Sequence, residues 1–168
     1  AYERYNKMKS GKIPPAIALH YGHSLFRTNS YEGTIQTLKN VGGGKDSVSQ
    51  YASYLLGISY LKTNNSSFAL TSFGNAAKLD FNAVIREEAS YNHAKIHLET
   101  GNNNEAIKEF NAFISQFPQS KHIEEATELV AEAYAGANNS VGAIKYIEGL
   151  SARNAKINGT YQRLTFNL

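Results

Sequence analysis

The sequence predicts an all-α fold of antiparallel helix pairs that repeat along the chain, the pattern of an α-solenoid. Apolar residues recur at helical spacing in successive segments. Short polar turns rich in Asn, Ser, Thr and Gly separate these segments, and four of them divide a helix pair, at 28–30, 63–66, 100–103 and 137–140. Equivalent positions are 35 to 37 residues apart, a period typical of helical-repeat proteins.

Each predicted pair has a small residue where its first helix must approach its second helix. These residues follow one another at intervals of 35, 37 and 37, and they are Gly22, Gly57, Ala94 and Ala131. A second small residue comes twelve positions later, at Thr34, Ala69, Ala106 and Ala143. Large residues four positions further are Leu38, Phe73, Phe110 and Ile147, and the apolar residues three beyond these are Val41, Ala76, Phe113 and Leu150. We therefore expect the large side chain to fill the space between the paired helices.

This spacing resembles the signature of the tetratricopeptide repeat (TPR) family. The second repeat carries it best, at Leu56, Gly57, Tyr60, Ala69, Phe73 and Ala76, and the third supplies Ala94, Ala106, Phe110 and the closing Pro118. The first repeat departs from the family pattern with Thr34, and no repeat has the family's early Trp. The resemblance implies a right-handed superhelix of antiparallel helix pairs, which acts as a non-catalytic protein-binding scaffold rather than as an enzyme.

The elements follow in order from the apolar periodicity and the turns. We predict helices over residues 1–10, 15–28, 31–40, 48–63, 66–79, 84–100, 103–116, 121–137, 140–150 and 157–168. In TPR register, 1–10 is the second helix of a preceding repeat, full repeats cover 15–41, 48–79, 84–117 and 121–152, and 155–168 is the first helix of a further repeat. We therefore expect one solenoid domain over 1–168, with half a repeat at each end, cut from a longer array.

Composition excludes several classes of chemistry. The 168 residues include no Cys, so disulfides, thiolate zinc sites and cysteine nucleophiles are excluded. The net charge is only +3, which does not demand a nucleic-acid partner. No run of 18 apolar residues occurs, so we predict no direct membrane insertion by this segment.

Two histidine pairs have spacings that could place both imidazoles on one metal ion. His93 and His97 are four residues apart on a predicted helix, and His20 and His23 are three apart. The Glu that follows the first His in zinc proteases is absent after His93, and neither pair has an evident third ligand. In TPR register His93 and His97 also fall on core positions. We predict that no metal is bound.

Two other patterns carry chemistry in other proteins. The segment Gly42-Gly43-Gly44-Lys45-Asp46-Ser47 is similar to a phosphate-binding loop, but it lacks the first glycine and has no Ser or Thr directly after Lys45. Paired carboxylates can serve acid–base catalysis, and the row here is Glu124, Glu125, Glu128 and Glu132. A charge row of this kind is more often a solvent-facing or ligand-facing stripe. We predict neither a catalytic residue nor a cofactor.

The TPR resemblance implies that first-helix residues pointing away from the second helices line a concave groove. In this sequence those ligand-binding candidates are His23, Arg27, Tyr51, Tyr54, Ile58, Lys62, Glu88, Tyr91, Lys95, Glu125, Glu128 and Glu132. We expect Tyr51, Tyr54 and Tyr91 to be the anchors, since tyrosine buries much area for little rotamer entropy. We expect Lys62 and Lys95 to steer an acidic or amphipathic segment. The alternative is that some of these tyrosines pack against the adjacent repeat.

The expected partner is a protein or peptide segment. The alternative function is that of a helical-repeat RNA-binding protein, which needs a basic groove and a repeated polar code that this sequence does not display. The end helices are candidates for self-association. The segments 78–81, 87–92 and 161–164 look similar to the joints of long all-TPR proteins of Gram-negative envelopes, including tol-pal accessory proteins. That resemblance implies a periplasmic or outer-membrane-associated location.

Overall fold

The fold is given by a computed structural model that describes residues 13–166. The helix predicted over 1–10 lies outside the described residues. Nine helices occur in the described part: α1 Pro15–Arg27, α2 Tyr31–Leu38, α3 Ser47–Lys62, α4 Ser66–Ala77, α5 Ala83–Glu99, α6 Asn103–Gln116, α7 Ile123–Gly136, α8 Ser140–Glu148 and α9 Ala155–Phe166. Between residues 13 and 166 no strand occurs, and no helix combines the length and the apolar character needed to cross a lipid bilayer.

The predicted helix pattern is confirmed in this range, with ends that differ by no more than two residues from the predicted ones. Helix α7 begins at Ile123, two residues later than predicted. Its start is delayed because the chain forms a turn at Ser120, whose hydroxyl accepts a hydrogen bond from the backbone N–H of His122 at 3.1 Å.

The turns inside the four pairs repeat one local structure. Each places one residue in the left-handed conformation, and these residues are Asn29, Asn64, Gly101 and Asn138, with φ between 55° and 75°. They follow one another at intervals of 35, 37 and 37, which are the intervals of the small residues. Asn and Gly adopt this conformation at low cost and commonly end helices in this way. The sequence period is therefore also a structural period.

The described helices form two compact units that divide within α5, between Ser90 and Tyr91. A single solenoid domain over the whole chain stays a prediction. In the first unit, Gly22 lies against Leu38 and Gly57 lies against Phe73. A Cβ added at these glycines would be 2.5 Å and 2.7 Å from the nearest side-chain atom of Leu38 and Phe73, closer than packed carbons approach. The expected close contact of small and large residues is confirmed in both pairs.

The polar residue Thr34 fits into this core because its hydroxyl is satisfied. Thr34 is fully buried and donates to the backbone carbonyl of Ser30 at 2.9 Å. Buried hydroxyls are tolerated when they are hydrogen-bonded. The departure of the first repeat from the family pattern therefore leaves the helix pair intact.

The second unit uses alanine at the equivalent positions. Ala94 is buried in one apolar cluster with Ala106, Phe110 and Phe113, and Tyr91 belongs to the same cluster. A second cluster joins Ala131, Ala143 and Ile147 to two residues of α9, Ile157 and Leu164. The last described helix is therefore packed on α7 and α8 through its own apolar side chains.

A buried glutamine joins two helix pairs in the first unit. Gln50 of α3 is only 1% exposed. Its Nε2 donates to the carbonyl of Leu79 at 2.6 Å, and its Oε1 accepts from the backbone N–H of Asn82 at 2.8 Å. The turn between α4 and α5 is thus held by one buried side chain that satisfies two part-buried backbone groups.

A second joint holds α9 in the second unit. The Asn154 amide donates to Glu124 Oε1 at 2.9 Å and to Glu128 Oε1, while its own Oδ1 accepts from the backbone N–H of Ile157 at 3.0 Å. Lys156 Nζ lies 2.9 Å from Glu128 Oε2. These contacts fix the start of α9 against α7, and they lower the pKa of Glu128 below its ordinary value of 4.5, mainly through the hydrogen bond from Lys156.

Replacing the buried glutamine tests the first joint. In Gln50→Leu the carbonyl of Leu79 and the N–H of Asn82 lose a buried partner, so we expect the free energy of unfolding to fall by about 2 kcal/mol. Urea unfolding measures this change. Gln36→Leu, on the exposed face of α2, is the matched control and should change stability by less than about 0.5 kcal/mol. A Gln50→Leu protein as stable as the wild type would contradict the joint.

The second joint predicts a pH dependence. Because the folded-state pKa of Glu128 lies below 4.5, its stabilisation is complete above that pH and is lost as pH falls through the folded pKa. We expect the wild type to lose more stability between about pH 5 and pH 3 than Glu128→Gln, which has no proton to gain there. Unfolding free energies at several pH values measure both slopes. Glu32→Gln, exposed on α2, is the control, and equal slopes for the wild type and Glu128→Gln would overturn this role.

Candidate functional site

The second unit carries the candidate site on the first helices of its pairs. These are the part of α5 from Tyr91 onward, then α7 and α9. Two open clefts separate them, one between α5 and α7 and one between α7 and α9. Both clefts include Glu132, a predicted ligand-binding residue on α7. The two clefts therefore adjoin across a single side chain.

The cleft between α5 and α7 has a volume of about 370 Å³. Its lining residues are Lys95, Leu98, Glu99, Asn103, Leu129, Glu132 and Gly136. It combines two carboxylates with the apolar side chains of Leu98 and Leu129. A volume of this size is at the lower end of ligand-binding clefts, which run from roughly 300 to 1,000 Å³.

The cleft between α7 and α9 has a volume of about 450 Å³. Its lining residues are Glu128, Ala131, Glu132, Ala135, Ala155, Lys156, Ile157, Gly159, Thr160 and Arg163. Gly159 contributes open space, because a Cβ added there would meet no atom within 4 Å. The α9 side of this cleft is therefore wide enough to receive another side chain.

Ion pairs across these helices occupy most of the charges on the face. Lys95 Nζ lies 3.2 Å from Glu125 Oε1, and Lys156 is bound to Glu128. A hydrogen bond from the Tyr91 side chain, followed by the contact with Lys95, lowers the pKa of Glu125. Two acidic residues of the face, Glu99 and Glu132, make no hydrogen bond or salt bridge with a described side chain. Negative charge therefore remains available in the cleft between α5 and α7.

Tyr91 does not have the predicted role of an exposed anchor. It is 4% exposed, and its ring stacks on His122 at 4.1 Å between centroids with 9° between the planes. It also faces Phe110 and Phe113 in the core. The alternative interpretation, that a tyrosine packs against the adjacent repeat, is correct at this position.

Two of the predicted acidic residues are also largely engaged. The side chain of Glu128 is only 14% exposed because it accepts hydrogen bonds from Asn154 and Lys156. Glu125 is paired with Lys95. These carboxylates hold neighbouring helices together, whereas the exposed Glu132 stays available.

The first unit holds the other predicted ligand-binding residues. The ring of His23 meets Tyr51 edge-on at 5.5 Å, and Tyr54 meets the buried Phe73 edge-on at 6.1 Å. His23, Tyr51 and Tyr54 are half-buried residues. Arg27 and Lys62 are exposed, while Ile58 and Glu88 are half-buried. The binding roles of these residues stay predictions.

The TPR register placed His93 and His97 inside the core. In the structure both are half-buried and lie at its margin. His93 keeps 19% of its side chain exposed, and its Nδ1 lies 3.3 Å from Glu109 Oε2. Burial, and then the nearby His93, lower the pKa of His97. Among the described residues no three His, Asp or Glu side chains are placed to hold one metal ion. The arrangement is a histidine–carboxylate contact between α5 and α6.

Sequence reasoning missed the contribution of α9 to the site. The missed lining residues are Lys156, Gly159, Thr160 and Arg163. Their spacing of i, i+3, i+4 and i+7 is the signal that marks one face of a helix, and it could have identified them. The last segment was predicted as a helix, but no ligand-facing register was assigned to it.

Comparison with known proteins supports the repeat. Residues 88–120 match the model of a tetratricopeptide repeat family. No sequence among the characterised proteins matches significantly. The resemblance to envelope proteins of the tol-pal type is not among these findings and stays a prediction.

Solved structures share the fold at low sequence identity. The structure of MamA residues 41-end from Desulfovibrio magneticus RS-1 is 19% identical, with 91% of this chain and 84% of that chain covered and a TM-score of 0.67. A crystal structure of MamA is 19% identical over 99% and 88% of the two chains, with a TM-score of 0.65. A putative kinesin light chain of Podosopora anserina with TPR-like repeats is 10% identical over 92% and 88%, with a TM-score of 0.61. Residues 13–166 therefore have an all-helical, TPR-like fold, and residues 88–120 match a tetratricopeptide repeat.

Proposed function

We propose that this chain is a non-catalytic protein-interaction scaffold whose first-helix faces bind a peptide or protein segment. The observation that carries the proposal is the pair of adjoining clefts between α5, α7 and α9. Repeat proteins of this type act through extended surfaces and not through deep reactive pockets. The likeness to other TPR-like structures supports a scaffold of the same general kind.

The two sides of the helix pairs carry different kinds of side chain, which supports this function. Core packing uses the apolar side of each pair, as in the clusters around Phe73, Phe110 and Ile147. The first-helix faces instead carry charged and aromatic side chains, several of them partly or fully exposed. In the first unit the first helices carry half-buried Tyr51 and Tyr54 and exposed Arg27 and Lys62. Tyrosine and arginine are both enriched at protein contact surfaces.

The RNA-binding alternative receives less support from the same geometry. A phosphate chain requires cations that are free to face it. In the second unit Lys95 and Lys156 are bound to Glu125 and Glu128, and the exposed Arg163 shares its cleft with Glu132 and Glu128. A labelled single-stranded RNA of mixed sequence, titrated at physiological salt, separates the two functions, because a scaffold for polypeptides should not retain it.

We also propose a location in the envelope of a Gram-negative bacterium and self-association through the end helices. The location rests on the resemblance of the joint segments to envelope TPR proteins. Fractionation of cells that express the full-length parent protein checks the location. Sedimentation of the purified chain over a range of concentrations checks self-association.

Filling the cleft between α7 and α9 tests the proposed binding face. Gly159→Gln adds a side chain where the structure has open space, and glutamine also favours the helix more than glycine does. Peptides are first selected on the wild-type chain from a random display library. We expect these peptides to bind Gly159→Gln at least about fivefold more weakly, a loss of roughly 1 kcal/mol, while the thermal unfolding midpoint does not fall.

The neighbouring exposed residue supplies the control. Asn158→Gln, outside the cleft, should bind the selected peptides as the wild type does. If the peptides bound Gly159→Gln and the wild type equally well, this face would not be the binding site. If the library yielded no binder at all, the scaffold function itself would be contradicted for this chain.

A further inference from the structure

We infer that the cleft between α5 and α7 receives a lysine or arginine side chain of the bound polypeptide, and that Glu132 and Glu99 select it. This inference rests on the proposed function and specifies the chemistry of its partner. It is carried by the charges that line the cleft and by the apolar wall between them. The acidic partner expected from Lys95 is replaced here by a basic one.

The first step concerns the charges. Glu99 and Glu132 are both exposed and line the same cleft. Lys95 also lines this cleft. Its Nζ lies 3.2 Å from Glu125 Oε1 and 5.7 Å from the ring centre of Tyr91. Those two contacts hold the ammonium group on the Glu125 side. The cleft therefore offers two carboxylates that its own lysine does not neutralise.

The second step concerns the wall. Leu98 and Leu129 lie in the cleft together with the two carboxylates. Lysine and arginine pack their aliphatic stems on apolar surface while the charged head reaches a polar group. A long uncharged side chain would fit the wall but leave the carboxylates without a partner, and a carboxylate on the peptide would be repelled. The apolar wall and the two carboxylates therefore match the aliphatic stem and the charged head of a basic side chain.

The third step concerns the neighbouring cleft. Glu132 lines both clefts. In the cleft between α7 and α9, Lys156 is bound to Glu128, and the exposed Arg163 also lines the cleft. A second basic residue of the same segment would meet Arg163 there. The predicted segment therefore has one basic side chain for the cleft between α5 and α7, followed by a residue that is not basic.

The geometry sets the length of the probe. Packed helices lie about 8–10 Å apart, so a segment that crosses from α5 over α7 to α9 spans roughly 20 Å, or about six extended residues. Eleven-residue peptides cover this distance with margin. Three synthetic pools are used, with flanks randomised over uncharged residues and with arginine, norleucine or glutamate at the central position.

Fluorescence polarisation measures binding of each pool to the full 168-residue chain. We expect the arginine pool to bind at least about fivefold more tightly than the norleucine pool, as for a charge-assisted hydrogen bond, and the glutamate pool to bind most weakly. Raising the salt concentration should reduce this preference. Glu132→Gln should reduce it to less than about twofold, and Glu132→Lys should reverse it in favour of the glutamate pool.

Glu105→Gln provides the matched control, because it removes one carboxylate from the outer helix α6 and should leave the preference for arginine unchanged. Equal binding of the three pools, or an arginine preference that persists in Glu132→Gln, would overturn the inference while the scaffold function stands. Failure of all three pools to bind would overturn both. If Glu132→Gln altered only self-association in sedimentation, the occupant would be a second copy of the chain, and the inference would be overturned.

Discussion

The close approach of paired helices at one small residue is the constraint on which the rest of the structure depends. Gly22 and Gly57 leave no room for a Cβ against Leu38 and Phe73. The alanines of the second unit lie buried beside Phe110 and Ile147. This contact fixes the rotation of both helices in a pair, because only one side of each helix can supply it. Once that rotation is fixed, the first helix has a defined opposite face, which becomes the candidate binding surface.

The proposed binding face also carries side chains that join successive helix pairs. Glu125 and Glu128 were predicted to meet a ligand, yet they bridge α7 to α5 and to α9. An exposed ion pair such as that of Lys95 with Glu125 contributes only about 0.2–1 kcal/mol, so stability depends more on the apolar clusters than on such a bridge. Their larger effect is on the charge pattern, since each bridge cancels one cation and one anion. The carboxylate of Glu132 makes no such bridge with a described residue and stays exposed on this face.

The helix positions could be predicted because periodic apolar residues and left-handed turns are local signals. The contact of Gly57 with Phe73 was predictable for the same reason, since its spacing recurs in each pair. The burial of Tyr91 depends on Phe110 and Phe113 of its own pair and on His122, which precedes the next one, so the register of α5 left both interpretations of this tyrosine open. The engagement of Glu128 depends likewise on Asn154, which starts a different helix. Register along one helix gives the direction of a side chain but not the identity of the neighbour that it meets.

The residues that hold the helix pairs together differ from those that line the clefts. Substitution at Ala94 or Phe110 would disturb a fully buried contact, and truncation of such core side chains typically costs several kcal/mol. Glu99, Glu132 and Gly159 have no part in that contact, so they can change without loss of the fold. Exposed helix positions generally tolerate substitution within about 0.5 kcal/mol. Specificity can therefore be altered at the clefts while the small-to-large contact is kept, which places the information about the partner in residues that the fold does not constrain.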